Sequence, residues 1–590
     1  MENGQKRLKE LFDGRKIFNI PDYQRAYAWD QSRQLPDFIE DIDNQSTGRD
    51  YFLGTILFQE KGEKHSGFDL IDIVDGQQRI TTIIIFMKVL LHELSTRLTK
   101  SEFEDNSLDL VLETYVENKK RPKLKAISPD NDFFQSYILG DDDGCGFIET
   151  PSQRRLYNAK SYFTSVLKDR SNDQLLKLKT KLDEYTKVLT YSVRNAAEAT
   201  LIFETTNDRG KGLTNLEKIK SFLMYKAYLA AENDIEINLT SIQQRFTEIY
   251  REFELFDGQL DEDSVLQYHC IAFEKWKNKK DYQQPVNYIR GILNPLINDG
   301  NKSEALEYID NFSRELKESF RTMRGLQKHT APQYRDLVCL ERLGSFYPLL
   351  LKAFKYDNTA DKRNFNNVCK LLEIFSFRVF AIQHNRSNTG QNGMFTITRD
   401  FSGKFEPLCD ELVKLIVRYT PKKMFKEHLK HTDFYHYMIP RDLRYLIWKY
   451  ENHLRQTEQP ICSNMSEEEY RDSDNKTRLT IEHIASQNPE KRRIISDISV
   501  FPEIDADFIE DHLHRLGNLT FDPASANSSK GNNEISIKNS KYFVKAPYKT
   551  QNELDTFLID DQWTAESIEQ REKKIIEFSL RYWSPEYVEY

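Results

Sequence analysis

The period of the apolar residues changes twice along this chain, and that change restricts its fold more than any other feature. Up to about residue 230 the pattern is mixed. Tyr51 to Phe58 and Leu70 to Val74 read as strands, Gly76 breaks the second, and a helix from Arg79 carries Ile80, Ile83, Ile84 and Met87 on one side. Thr214-Asn-Leu-Glu217 has the form of a capping box that starts another helix. From about 231 to 460 the period is helical: Ile242, Phe246, Ile249 and Phe253 repeat at +4, +3 and +4, and Phe365, Val368, Leu372, Phe375 and Val379 follow the same rule. Residues 461–478 are polar and aperiodic and read as a linker. Short strands return at Leu479 to His483 and Leu513 to Phe521, followed by a closing helix from about Thr564 to Tyr582. At 590 residues the chain is too long for one core. The expectation is a multidomain α+β protein: an α/β module over 1–230, a helical middle over 231–460 and a small α+β domain over 461–590.

Charge and cysteine usage narrow the function. A net charge of -9 argues against a protein that coats nucleic acid nonspecifically, yet binding depends on patches rather than totals. One such patch spans 524–549, where Lys530, Lys538, Lys541, Lys545 and Lys549 face only Glu534. Such lysines give phosphate contacts without sequence readout, or simply a solvated loop. The six cysteines are scattered singly, which fits a reducing cytosol. A zinc site from Cys462, His483, His512 and His514 would lack paired spacing. The opening MENGQKRLKELF is charged where a signal peptide needs an apolar core. The greasiest run, Ile80 to Leu91, contains Lys88 and is short of a membrane span. A soluble cytoplasmic chain with no membrane contact is expected.

Phosphodiester hydrolysis needs an activated water, a cation at the phosphate and a group that orients the base. His483 ends a strand, Glu482 beside it offers a carboxylate, Asn518 sits on the expected partner strand, and Asn527 follows nine residues later. A histidine that titrates near neutrality suits a general base. The plainer alternative is that His483 is a satisfied strand-end group and that the Asn-rich loop marks turns.

Three N-terminal segments concentrate polar chemistry: Ile20-Pro-Asp-Tyr-Gln-Arg25 with Tyr27 and Trp29, Val74-Asp-Gly-Gln-Gln-Arg79, and Phe203-Glu-Thr-Thr-Asn-Asp-Arg-Gly210. In the second, Gly76 permits a tight turn into a helix whose free N–H groups and dipole suit a phosphate. Arg79 can grip phosphate, and Gln77 and Gln78 add donors. Asp75 is open to three roles: helix cap, Mg2+ ligand or water-orienting base. No Walker-type phosphate loop occurs.

Taken together, these motifs resemble the GmrSD-type modification-dependent restriction endonucleases. At the C-terminal end EHIASQNP, LGNLT and NSSKGNNEISIK match the family's nuclease motifs in order, followed by Trp563, Ile568, Arg571 and Trp583. The family proline after His483 is displaced to Pro489, and Ile535 stands where an aromatic is usual. The resemblance implies a ββα-metal (His-Me finger, HNH) nuclease domain. In it His483 is the base, Asn518 orients it, Glu482 and Asn527 ligate Mg2+ or Mn2+, and Asn532 and Lys538 lie near the phosphate. The N-terminal motifs imply a ParB/sulfiredoxin-like NTPase and DNA-sensing module. Its nucleotide would meet Gln24, Arg25, Asp75, Gly76, Gln77, Gln78, Arg79, Asn207 and Arg209, and Tyr23, Tyr27, Lys530 and Lys541 would contact DNA. The implied function is nucleotide-regulated cleavage of modified foreign double-stranded DNA, with a homodimer as the assembly to test. Two alternatives remain: a nicking enzyme activated by host phosphorothioate DNA, and a ParB-like nucleotide-switched DNA clamp that does not cleave.

Overall fold

Six strands make the main sheet: β1 (Gly4–Arg7), β2 (Lys16–Asn19), β3 (Tyr51–His65), β4 (Phe68–Asp75), β7 (Leu124–Lys125) and β8 (Thr186–Val193), in the order β1-β8-β3-β4-β2-β7. A separate two-residue pair joins β5 (Glu117–Asn118) to β6 (Arg121–Pro122). The computed structural model describes residues 3–46, 48–65, 67–98, 108–140, 148–193, 198, 213–231, 234–256, 260–487, 507–525, 543 and 546–587. The chain divides into two units, Met1–Cys270 with Trp276–Gln327 and Ile271–Lys275 with Lys328–Tyr590.

The sheet belongs to the first unit. It is mixed: β3 runs antiparallel to β4 and parallel to β8, while β4 runs parallel to β2. Alternation along β4 sends Ile71 and Ile73 into the core. Asp72, of opposite parity, is held by Asn19 Nδ2 at 2.7 Å and Lys61 Nζ at 2.9 Å. Gly76 takes φ +93°, a left-handed conformation, and the helix Gln77–Arg97 starts at the next residue. That helix buries more than the single stripe expected from sequence. Ile80, Ile83, Ile84, Ile85, Phe86 and Met87 are all fully buried, because other helices pack on it. Phe86, for example, meets Phe163 of the helix Pro151–Lys168 edge-on at 5.2 Å. The capping box forms as the sequence implies, with Thr214 and Glu217 bonding each other's backbone N–H at the head of the helix Asn215–Ala230.

The second unit is mostly helical and carries β9 (Leu479–His483) paired antiparallel with β10 (Leu519–Pro523). The expected strand from Leu513 is shorter than its apolar pattern suggested. Ile509–Leu513 is a π-helical turn and Leu516–Asn518 a 3-10 turn, so only the last residues extend. Asn518 therefore lies in the turn before the strand rather than on it. The polar stretch 461–478 is anchored by its few large side chains. Tyr470 stacks on Trp448 at 4.4 Å, and Met465 O accepts from the Trp448 indole N–H at 3.2 Å. The closing helix spans Ala565–Tyr582, capped by Thr564.

No helix among the described residues is long and apolar enough to cross a membrane.

Candidate functional site

His483 ends β9 opposite Leu519 and is largely buried. Gln487 Nε2 donates to its Nδ1 at 2.8 Å, and its Nε2 lies 3.2 Å from His514 Nδ1. The Tyr435 ring packs on it at 4.5 Å. Both ring nitrogens thus face polar groups, and the imidazole is fixed in orientation.

The frame around it explains the residues of the LGNLT motif. The fully buried Asn518 accepts from Ala485 N–H at 2.8 Å and the Trp563 indole N–H at 3.0 Å, and donates to Leu513 O at 2.7 Å. Its own carbonyl accepts from Ile484 N–H at 2.9 Å. Asn518, expected to orient the imidazole itself, instead fixes the backbone just past His483, because all these bonds go to the surrounding frame. Gly517 is required by close approach: a Cβ there would lie 2.0 Å from Ile568 O. Arg571 reaches back from the closing helix with no exposed surface. It donates to Gly517 O and Leu519 O, each at 2.8 Å, and pairs with Glu553 Oε1 at 2.9 Å.

Glu482 precedes His483 on β9, pairs in register with Thr520 and is buried. Asn527, Lys530, Asn532, Lys538 and Lys541 lie outside the described residues. The structure brings in two groups that the sequence reading left in the helical middle. Asp433 and His436, around the short helix Phe434–Tyr437, sit with His514 so that one donor atom from each lies within 4.8 Å of the others. The available signal was the Asp-x-x-His spacing, which places two donors on one side of a helical turn.

In the first unit the two motif loops are stitched together by their glutamines. Gln24 Nε2 donates to Val74 O at 2.7 Å, and Gln77 Nε2 donates to Arg25 O at 3.2 Å. Gln78 accepts from Ala28 N–H at 2.8 Å and donates to Ala26 O at 3.0 Å. Arg79, expected to grip phosphate, folds onto β3 and donates to Leu53 O at 3.2 Å and Thr55 O at 2.8 Å. Tyr27, expected to meet DNA, is buried in the core with its hydroxyl 2.8 Å from Thr82 Oγ1, so its ring has no surface to offer. Asn207 and Arg209 lie outside the described residues.

What these loops converge on is Lys220, which the sequence reading passed over. Its ammonium donates to Tyr23 O at 3.1 Å and lies 5.6 and 5.5 Å from the Tyr23 and Tyr250 ring centroids. The Tyr23 ring packs against that cation and keeps part of its surface exposed. Burial lowers the Lys220 pKa to about 8, against the opposing pull of Glu217, Glu262 and Asp75. Burial likewise raises Asp75, which Arg79 opposes from 3.7 Å. It pushes Glu262 up to about 7 although Arg25 stands 3.5 Å away. The adjoining helix Gln77–Arg97 begins with no side-chain cap. A buried cation, titratable carboxyls and the uncapped start of a helix thus meet in one place. A cavity of about 230 Å³, bordered by Gln24, Ala26, Asp130, Tyr250, Arg251 and Glu254, lies next to them.

Two family comparisons match these two regions. The N-terminal domain of the GmrSD restriction endonucleases matches residues 8–224, and the C-terminal domain of the same enzymes matches residues 419–578. The second match includes the Asp433–His436 segment as well as His483, His514 and Asn518. No curated protein matches the chain. The two matches come in the order of the motifs and together cover more than half of its length: the chain belongs to the GmrSD family of restriction endonucleases.

Proposed function

We propose that this restriction endonuclease cleaves modified foreign DNA with His483 as general base, and that nucleotide hydrolysis in the N-terminal module controls cleavage. The observation that carries the cleavage reading is the fixed imidazole of His483, held by Gln487 and His514 in a buried frame tied by Asn518, Trp563 and Arg571. Release of one ring nitrogen from Gln487 or His514 would open it to take a proton from water, general-base catalysis being the usual source of about 10²–10⁴-fold in rate. A divalent cation would supply charge stabilisation at the phosphate and leaving oxygen. The antiparallel β9–β10 pair, with the base at a strand end, suits the ββα-metal reading of this domain.

The nucleotide's phosphates would sit where Lys220 and the start of the helix Gln77–Arg97 meet, with Asp75 as the group that orients water or a cation. The mixed sheet is compatible with the ParB/sulfiredoxin-like reading. Base-modified double-stranded DNA is the proposed substrate, and a homodimer the proposed assembly.

The deciding experiment uses His483→Ala in the full chain. Cleavage of modified DNA should vanish while nucleotide turnover persists. A folded variant that loses both, or keeps cleavage, overturns this division of labour.

A further inference from the structure

We propose that Asp433, His436 and His514 form a binding site for a divalent transition cation of the zinc class, set against His483. Their donor atoms lie within 4.8 Å of one another. Asp433 Oδ1 and His436 Nδ1 are 2.7 Å apart, and the His436 and His514 rings are 4.5 Å apart. The two segments that supply them are held in register by the backbone, since Tyr435 N–H donates to His514 O at 3.0 Å. The Tyr435 ring also stacks on His514, 5.9 Å between centroids at 24°.

A tetrahedral zinc centre with bonds of about 2.0–2.1 Å spaces its ligand atoms roughly 3.3–3.5 Å apart. The Asp433 and His436 side chains are 49% and 59% exposed, so small rotations bring the donors to that spacing. Three protein ligands leave a fourth position open, as in catalytic rather than structural zinc sites. Donor chemistry decides the class of cation. Two imidazoles and one carboxylate suit Zn2+, Co2+ or Ni2+, whereas Mg2+ prefers an all-oxygen shell. His483 Nε2 is 3.2 Å from His514 Nδ1, which places the site directly beside the proposed base. The role of the cation in cleavage rests on the nuclease reading; its binding does not.

Chelator-treated full-length protein titrated with Co2+, read by visible d–d absorption, tests the site. One saturable equivalent is expected, displaced by Zn2+ and not by millimolar Mg2+. Asp433→Asn and His436→Ala should each weaken binding by at least about tenfold, since even outer-shell changes at metal sites cost that much. Circular dichroism confirms that these exposed-site variants fold. His436→Cys should retain Co2+ and add a thiolate-to-cobalt charge-transfer band. Absence of a saturable band in the wild type, or an unchanged band in the double variant Asp433→Asn/His436→Ala, overturns the proposal. Co2+ bound without DNA cleavage supports the site and overturns the nuclease reading alone. Cleavage without any Co2+ binding overturns the site alone.

Discussion

The carbonyl oxygen of the Asn518 side chain accepts a hydrogen bond from the indole N–H of Trp563 at 3.0 Å, inside a fully buried setting. Asn518→Ala would strand that N–H and the Ala485 N–H without an acceptor, and Leu513 O without its donor. Each stranded group costs about 1–3 kcal/mol. Urea unfolding should therefore show a clear loss of stability, with DNA cleavage falling in parallel. Asn518→Asp keeps both accepted bonds and should fall between the two. An alanine variant as stable as the wild type would mean that the turn is held by other contacts.

Arg571 and Glu553 form an ion pair with 0% and 1% of their side chains exposed. Removing the arginine alone leaves a buried carboxylate, although Lys574 at 2.9 Å and the Tyr450 hydroxyl at 2.8 Å still reach its other oxygen. Breaking a buried pair from one side typically costs about 3–5 kcal/mol. Arg571→Met should lower stability by that order and release Gly517 O and Leu519 O from their shared donor. A change below about 1 kcal/mol in denaturant unfolding would show that the remaining partners suffice.

The pKa of Lys220, lowered to about 8, gives the proposed nucleotide binding a definite sign with pH. The charged amine that attracts phosphate is present below about 8 and lost above it. Nucleotide affinity should therefore fall as pH rises through that value. Lys220→Met should bind weakly and lose the dependence. Calorimetric titrations across pH 6.5–9.5 (roughly, bracketing the lowered value) check this, and a wild-type affinity that rises with pH would remove Lys220 from the phosphate site.

If nucleotide controls cleavage, the two ligands must bias a common equilibrium. Coupling of that kind is typically worth about 1–3 kcal/mol, or roughly 5–150-fold in affinity, and it is reciprocal. A nonhydrolysable nucleotide should change the affinity for modified DNA by a factor in that range, and DNA should change nucleotide affinity by the same factor. Unshifted affinities in both titrations, with cleavage indifferent to nucleotide, would leave two unconnected activities.

The sequence was most informative where chemistry and local backbone coincide. His483 at a strand end, Gly76 at a strand-to-helix turn and the Thr214–Glu217 cap were all legible, because each depends on neighbours a few residues away. It was least informative where burial or distant contacts decide. Tyr27 has the composition of a contact residue, yet its ring is needed in the core. Arg79 has the chemistry of a phosphate clamp, yet β3 presents two carbonyls within its reach. Lys220 looks like an ordinary helix lysine until folding places Tyr23 and Tyr250 around it. Asp433 and His436 have no visible partner until His514, far along the chain, comes beside them.

The frame around His483 also has an order in time. The indole that bonds Asn518 is synthesised 45 residues after it, and the guanidinium that holds Gly517 comes 54 residues after that glycine. A nascent chain still on the ribosome, or a product of premature termination between these points, carries the histidine without its clamp. The buried frame around His483 is thus complete only in chains that extend through Arg571.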